Sequence, residues 1–125
     1  MTEFKKQKEF PLLKRYKKKF DVTDRTIFAY DGVIYCNYDL PRDLLIHEMT
    51  HLIQQEEMGV DTWVENYLDD IEFRLQMEIE AYRQQIISFR DRNDKAKCRI
   101  ESAYTLSSPL YGSIISFEEA LKKLK

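Results

Sequence analysis

At 125 residues, 43% of them hydrophobic and 34% charged, the chain has room for one globular domain and is too short for two ordinary ones. No apolar stretch approaches the ~18 residues of a membrane span, and the Lys-rich N-terminus has no apolar signal segment, so a cytoplasmic protein without a membrane partner is expected. The net charge of −2 hides an asymmetry: residues 1–20 carry eight Lys/Arg against Glu3 and Glu9, while residues 37–80 carry twelve Asp/Glu against Arg42 and Arg74.

The basic arm, residues 1–20, places Leu12, Leu13, Tyr16 and Phe20 at helical spacing after Pro11. That pattern predicts a helix near 11–20, docked by its apolar face with its lysines in solvent, and no nucleic-acid site. Residues 26–30 and 33–38 are β-branched and aromatic and flank Asp31-Gly32, which signals a two-residue hairpin. Cys36 lies in the second strand, far from Cys98 and outside any C-x-x-C spacing, so both are expected as reduced thiols. A helix then runs from about Pro41 to Met58 and ends at Gly59. Its apolar side, Leu45, Ile46, Met49, Leu52 and Ile53, is expected to pack, and its polar side to face outward. A longer helix is read over about 62–90, with Val64, Tyr67, Leu68, Ile71, Leu75, Ile79, Tyr82, Ile86 and Phe89 in one arc. A further helix near 93–107, a loop at 108–112 and a capped short helix after Ser116 complete the chain. The expected fold is α+β: one mostly helical domain over 1–125, a small hairpin or sheet before the first long helix, and a C-terminal segment at 105–125.

His47-Glu48-Met49-Thr50-His51 contains both histidines of the chain, in the pattern H-E-x-x-H. Residues four apart are about 40° apart around a helix, so both imidazoles project from one face and can share a tetrahedral metal. Glu48 borders that face as a carboxylate that can take a proton from metal-held water. Two histidines make an incomplete site. Glu78 lies inside the apolar arc of the following helix, where an acid needs a partner, whereas Glu80 lies on the polar side. The reading is a Zn²⁺ ion on His47, His51 and Glu78, with Glu48 as the catalytic base.

His47-Glu48-x-x-His51, followed by Glu78-Ile79-Glu80-Ala81-Tyr82, resembles the gluzincin metallopeptidases, and the short single-domain form is most like the minigluzincins. The resemblance implies Glu78 as the third zinc ligand, a cleft-bordering strand within 33–38, a peptide or protein substrate, and a C-terminal segment that holds the enzyme latent, the alternative being a tail that only completes the core with Leu110, Ile114, Ile115 and Leu121. It departs at Tyr82, where the family has an Asp whose hydrogen bond would orient a ligand histidine. Cys36 is a candidate inhibitory thiolate, with packing as its ordinary role. Tyr104 and Tyr111 are candidates for stabilising an oxyanion. The alternative function is a non-catalytic zinc-binding interaction module, nucleic-acid-associated through residues 1–20.

Overall fold

The computed structural model describes residues 2–125. The N-terminal arm begins with strand β1 (Glu3–Lys5), makes a 3-10 turn at Gln7–Glu9 and continues into helix α1 (Leu13–Lys19). Strands β2 (Phe28–Tyr30) and β3 (Val33–Tyr35) form the hairpin expected from Asp31-Gly32. Both turn residues have positive φ, 48° and 81°, as a type I′ turn demands. β1 pairs parallel to β3 on its other side, giving the mixed order β1-β3-β2. Nothing in the sequence announced β1: it is three residues long, charged at both ends, and paired with a segment some thirty positions away.

Helices α2 (Arg42–Met58), α3 (Val60–Asp69), α4 (Ile71–Ile87), α5 (Arg92–Leu106) and α6 (Phe117–Lys123) build the rest. The predicted single helix over 62–90 is therefore two. Asp70 adopts an extended backbone, and its carboxylate accepts from the Phe73 amide at 3.1 Å, capping α4. The apolar arc passes through this break without losing phase, which is why periodicity alone reads it as continuous. Ile71, at the start of α4, is 53% exposed although the arc placed it inside.

The larger correction concerns α2. Its buried residues are His47, Glu48, Thr50, His51, Gln54 and Gln55, while Met49 and Ile53 are exposed. The polar side faces inward because every group there except Glu48 finds a partner. Gln55 accepts from the Asp31 amide and donates to the Ala29 carbonyl, which fastens α2 to the hairpin. Gln54 donates to Met77 and Glu80 of α4. Among the described residues no fully buried side-chain nitrogen or oxygen lacks a partner.

Two apolar clusters flank α2. Phe10, Tyr16, Phe28, Trp63, Tyr67 and neighbours form the first, which the arm helps to build as expected from Tyr16 and Phe20. Leu75, Tyr82, Leu106, Tyr111, Ala120 and Leu124 belong to the second, which α6 closes with Leu110, Ile114, Ile115 and Leu121 packed against it. The basic face of α1 is partly answered by α3, through Arg15–Glu65 at 2.9 Å and Lys19–Asp69 at 3.7 Å. No described helix is long and apolar enough to cross a membrane.

Candidate metal centre

One turn of α2 brings the His47 and His51 rings to 4.9 Å between centroids. Each ring leans on a different cluster: His47 edge-on to Tyr82, and His51 edge-on to Trp63. Glu78 arrives from α4, with Oε1 3.1 Å from His47 Nε2 and Oε2 3.1 Å from His51 Nε2. The Tyr67 hydroxyl donates to Glu78 Oε2 at 2.6 Å. One donor atom from each of the three residues lies within 4.8 Å of the others, and the three residues are 2–4% exposed. Arg74, the nearest buried cation in sequence, leaves Glu78 alone and spends its N–H groups on the Tyr67, Leu68 and Tyr111 carbonyls.

The proton positions on the rings follow from their outer neighbours. The Asp43 carboxylate accepts from Gln85 Nε2 at 2.8 Å, so Gln85 turns its oxygen to His47 Nδ1 at 3.0 Å. Trp63 Nε1–H, which can only donate, meets the Gln54 oxygen at 3.1 Å, and that oxygen also faces His51 Nδ1 at 2.9 Å. An amide oxygen can only accept, so both Nδ1 atoms carry hydrogen. Each neutral ring then points an Nε2 lone pair at the Glu78 carboxylate. Such a convergence of lone pairs is repulsive unless the rings are protonated or a cation sits among them. Two imidazoles and a carboxylate, oriented by outer amides, fit a divalent metal.

Gln54 and Gln85 do the orienting expected of position 82. Tyr82 instead shares a hydrogen bond with the Tyr111 hydroxyl at 2.9 Å. Gln85 was legible in principle, since it lies two turns beyond Glu78, about 20° away on the same helix face. Replacing Gln85 with Leu should leave the fold intact and weaken metal binding by about 10–100-fold, measured by competition with a chelator.

Without metal, burial pulls the His51 pKa down, but the Glu78 carboxylate outweighs it and raises it to about 9. Burial likewise favours neutral Glu78, but His51 and His47 overcome it and hold the carboxyl far below its usual range. The folded His51 pKa thus lies above its unfolded value. Its pairing stabilises the metal-free chain fully below about pH 6.5 and is lost as pH rises through about 9. The metal-free protein should therefore lose on the order of 10 °C in Tm between those limits, and added zinc should restore more at the upper one. Calorimetry across that range checks both.

Glu48 shares the cavity with the three donors but is not among them. It accepts no hydrogen bond from the described residues, and burial, followed by the repulsion of Glu78, raises its pKa against the pull of both histidines. The cavity has a volume of about 190 Å³ and opens to solvent. Tyr16, Phe20 and Ile27 wall it from the N-terminal side, and Leu110 and Tyr111 from the C-terminal side. Glu118 and Glu119 are exposed on α6 and outside the donor group. Tyr104 is 65% exposed, packs on Phe117 and takes no part in the cavity. Cys36 is buried beside Phe4, Tyr38 and Leu45 in a different groove and is likewise outside the donor group.

No family model, curated protein or solved structure matches this chain. The site's own chemistry carries the functional reading.

Proposed function

We propose that the protein is a zinc-dependent metallopeptidase of gluzincin type, held latent by its own N- and C-terminal segments. The observation that carries this reading is Glu48. It is a carboxylate in the cavity of the donor trio, bound neither to a ligand nor to the backbone. A site that only held metal would have no use for a further carboxylate beside its ligands, one that meets no protein donor and keeps its oxygens open to the cavity. His47, His51 and Glu78 would hold zinc, which when bound supplies Lewis acidity to a peptide carbonyl and acidifies water.

Glu48 takes the proton of the attacking water and passes it to the leaving amine. Gln54 and Gln85 fix the ring tautomers so that Nε2 of each histidine is the free donor. Tyr67 shields Glu78 and supports its charge. Tyr111 is a candidate oxyanion donor once its bond to Tyr82 opens.

Latency accounts for the narrowness of the cavity. A cavity of about 190 Å³ is smaller than the ~300 Å³ lower bound of ordinary ligand sites, and extended peptide needs more. The C-terminal turn supplies part of the cover, and the segment from Tyr16 to Ile27 supplies more. The deep burial of the ligands also favours the second reading, a non-catalytic zinc-binding module. Hydrolysis of casein by the purified zinc-loaded chain, beside its Glu48→Gln variant, separates the two: slow cleavage that the variant lacks is the peptidase result.

A further inference from the structure

The outer face of α2 is apolar and uncovered. Met49 is 38% and Ile53 54% exposed, and Leu45, Ile46 and Leu52 are half-buried beside them. Phe4, itself 52% exposed, lines a groove with Leu45 and extends the patch. A buried metal site explains why the helix turns its polar side inward. It does not explain why the outward side is a stripe of branched and sulfur-bearing side chains.

The order of residues along that stripe identifies its occupant. Three and four positions before Met49 stand Ile46 and Leu45; three and four positions after it stand Leu52 and Ile53. Seven positions before it is Arg42, and seven after it is Glu56. All six lie within about 60° of Met49 around the helix. The pattern is therefore its own complement when reversed, apolar on apolar and cation on anion. Arg42 and Glu56 are both exposed, and neither has an ion-pair partner among the described residues.

We propose that two copies of this chain associate through α2, antiparallel about a two-fold axis at Met49. Each Leu45 then meets Ile53 of the other copy, each Ile46 meets Leu52, and each Arg42 reaches Glu56. The charged pairs sit about 21 Å apart at 1.5 Å per residue, closing both ends of the apolar seam. Spacings of three and four suit helices crossing at about 20°. Parallel pairing would set Arg42 against Arg42 and Glu56 against Glu56, so the charges select the antiparallel arrangement. Self-complementarity of one patch is the property a two-fold interface requires. A partner with a uniformly basic or acidic rim would find the wrong sign at one end. The metal ligands lie on the opposite side of α2, so the dimer leaves the site and its chemistry untouched.

Sedimentation equilibrium on the full chain tests this. A concentration-dependent dimer is expected, and Ile53→Asp should abolish it while circular dichroism shows the helices kept. Arg42→Glu and Glu56→Arg should each weaken it about tenfold, because each places like charges at both ends. The double variant Arg42→Glu/Glu56→Arg should recover the original association. A chain that stays monomeric to about 0.5 mM, where only associations weaker than about millimolar escape detection, overturns the proposal and leaves the stripe to some other occupant. A dimer indifferent to Ile53→Asp, or single charge variants that the double variant fails to rescue, overturns it equally.

Discussion

Glu78→Ala should lose bound metal and much of its stability, while Glu80→Ala should keep both. Glu78 is the common partner of His47, His51 and Tyr67, and it is 2% exposed. Removing it deletes one of three donors. It also leaves buried imidazoles and a buried hydroxyl facing a void. Breaking a buried charged pair by deleting one member typically costs about 3–5 kcal/mol. The loss in zinc affinity should exceed the ~100-fold upper range of outer-shell substitutions. Glu80 is exposed and only receives the Gln54 amide, which retains the Met77 carbonyl. Zinc stoichiometry and thermal melts of the two variants decide between these carboxylates. Metal retained in Glu78→Ala and lost in Glu80→Ala would reverse the assignment.

Glu48→Gln should behave in the opposite way, keeping metal and fold and losing hydrolysis by about 10²–10⁴-fold. The amide has nearly the same shape, and Glu48 accepts no hydrogen bond that the change would disturb. Its removal should, if anything, ease a buried acid whose pKa is raised by desolvation and by Glu78. Parallel measurement of metal content, melting temperature and casein hydrolysis distinguishes a lost base from a damaged site. Turnover unchanged in a fully loaded variant would end the proposed role.

The donor trio was legible because each member left a local mark. The histidines are one turn apart, and Glu78 is an acid in an apolar arc. The hairpin was legible because Asp31-Gly32 is chemically suited to one turn type. The orientation of α2 was not. Counting apolar residues favoured burying Leu45, Met49 and Ile53, but the burial of the other side rests on partners distant in sequence: Gln54 on Glu80, Gln55 on Ala29, and His47 on Gln85, itself held by Asp43. No window of sequence contains those pairs. The break at Asp70 escaped for a different reason, since one capping residue stopped the helix without shifting its phase. Cover of the cavity by Tyr16 and Phe20 depends on where the arm crosses the domain, which an amphipathic pattern does not encode.

A metal held by two imidazoles and one carboxylate has a spectroscopic signature of its own. X-ray absorption at the zinc edge on the purified, zinc-reconstituted protein tests it most directly. One zinc per chain is expected, with nitrogen and oxygen neighbours at about 2.0–2.2 Å and the multiple-scattering signature of two histidines. A sulfur neighbour at about 2.3 Å, which would bring in Cys36 or Cys98, or a chain that retains no zinc, would contradict it.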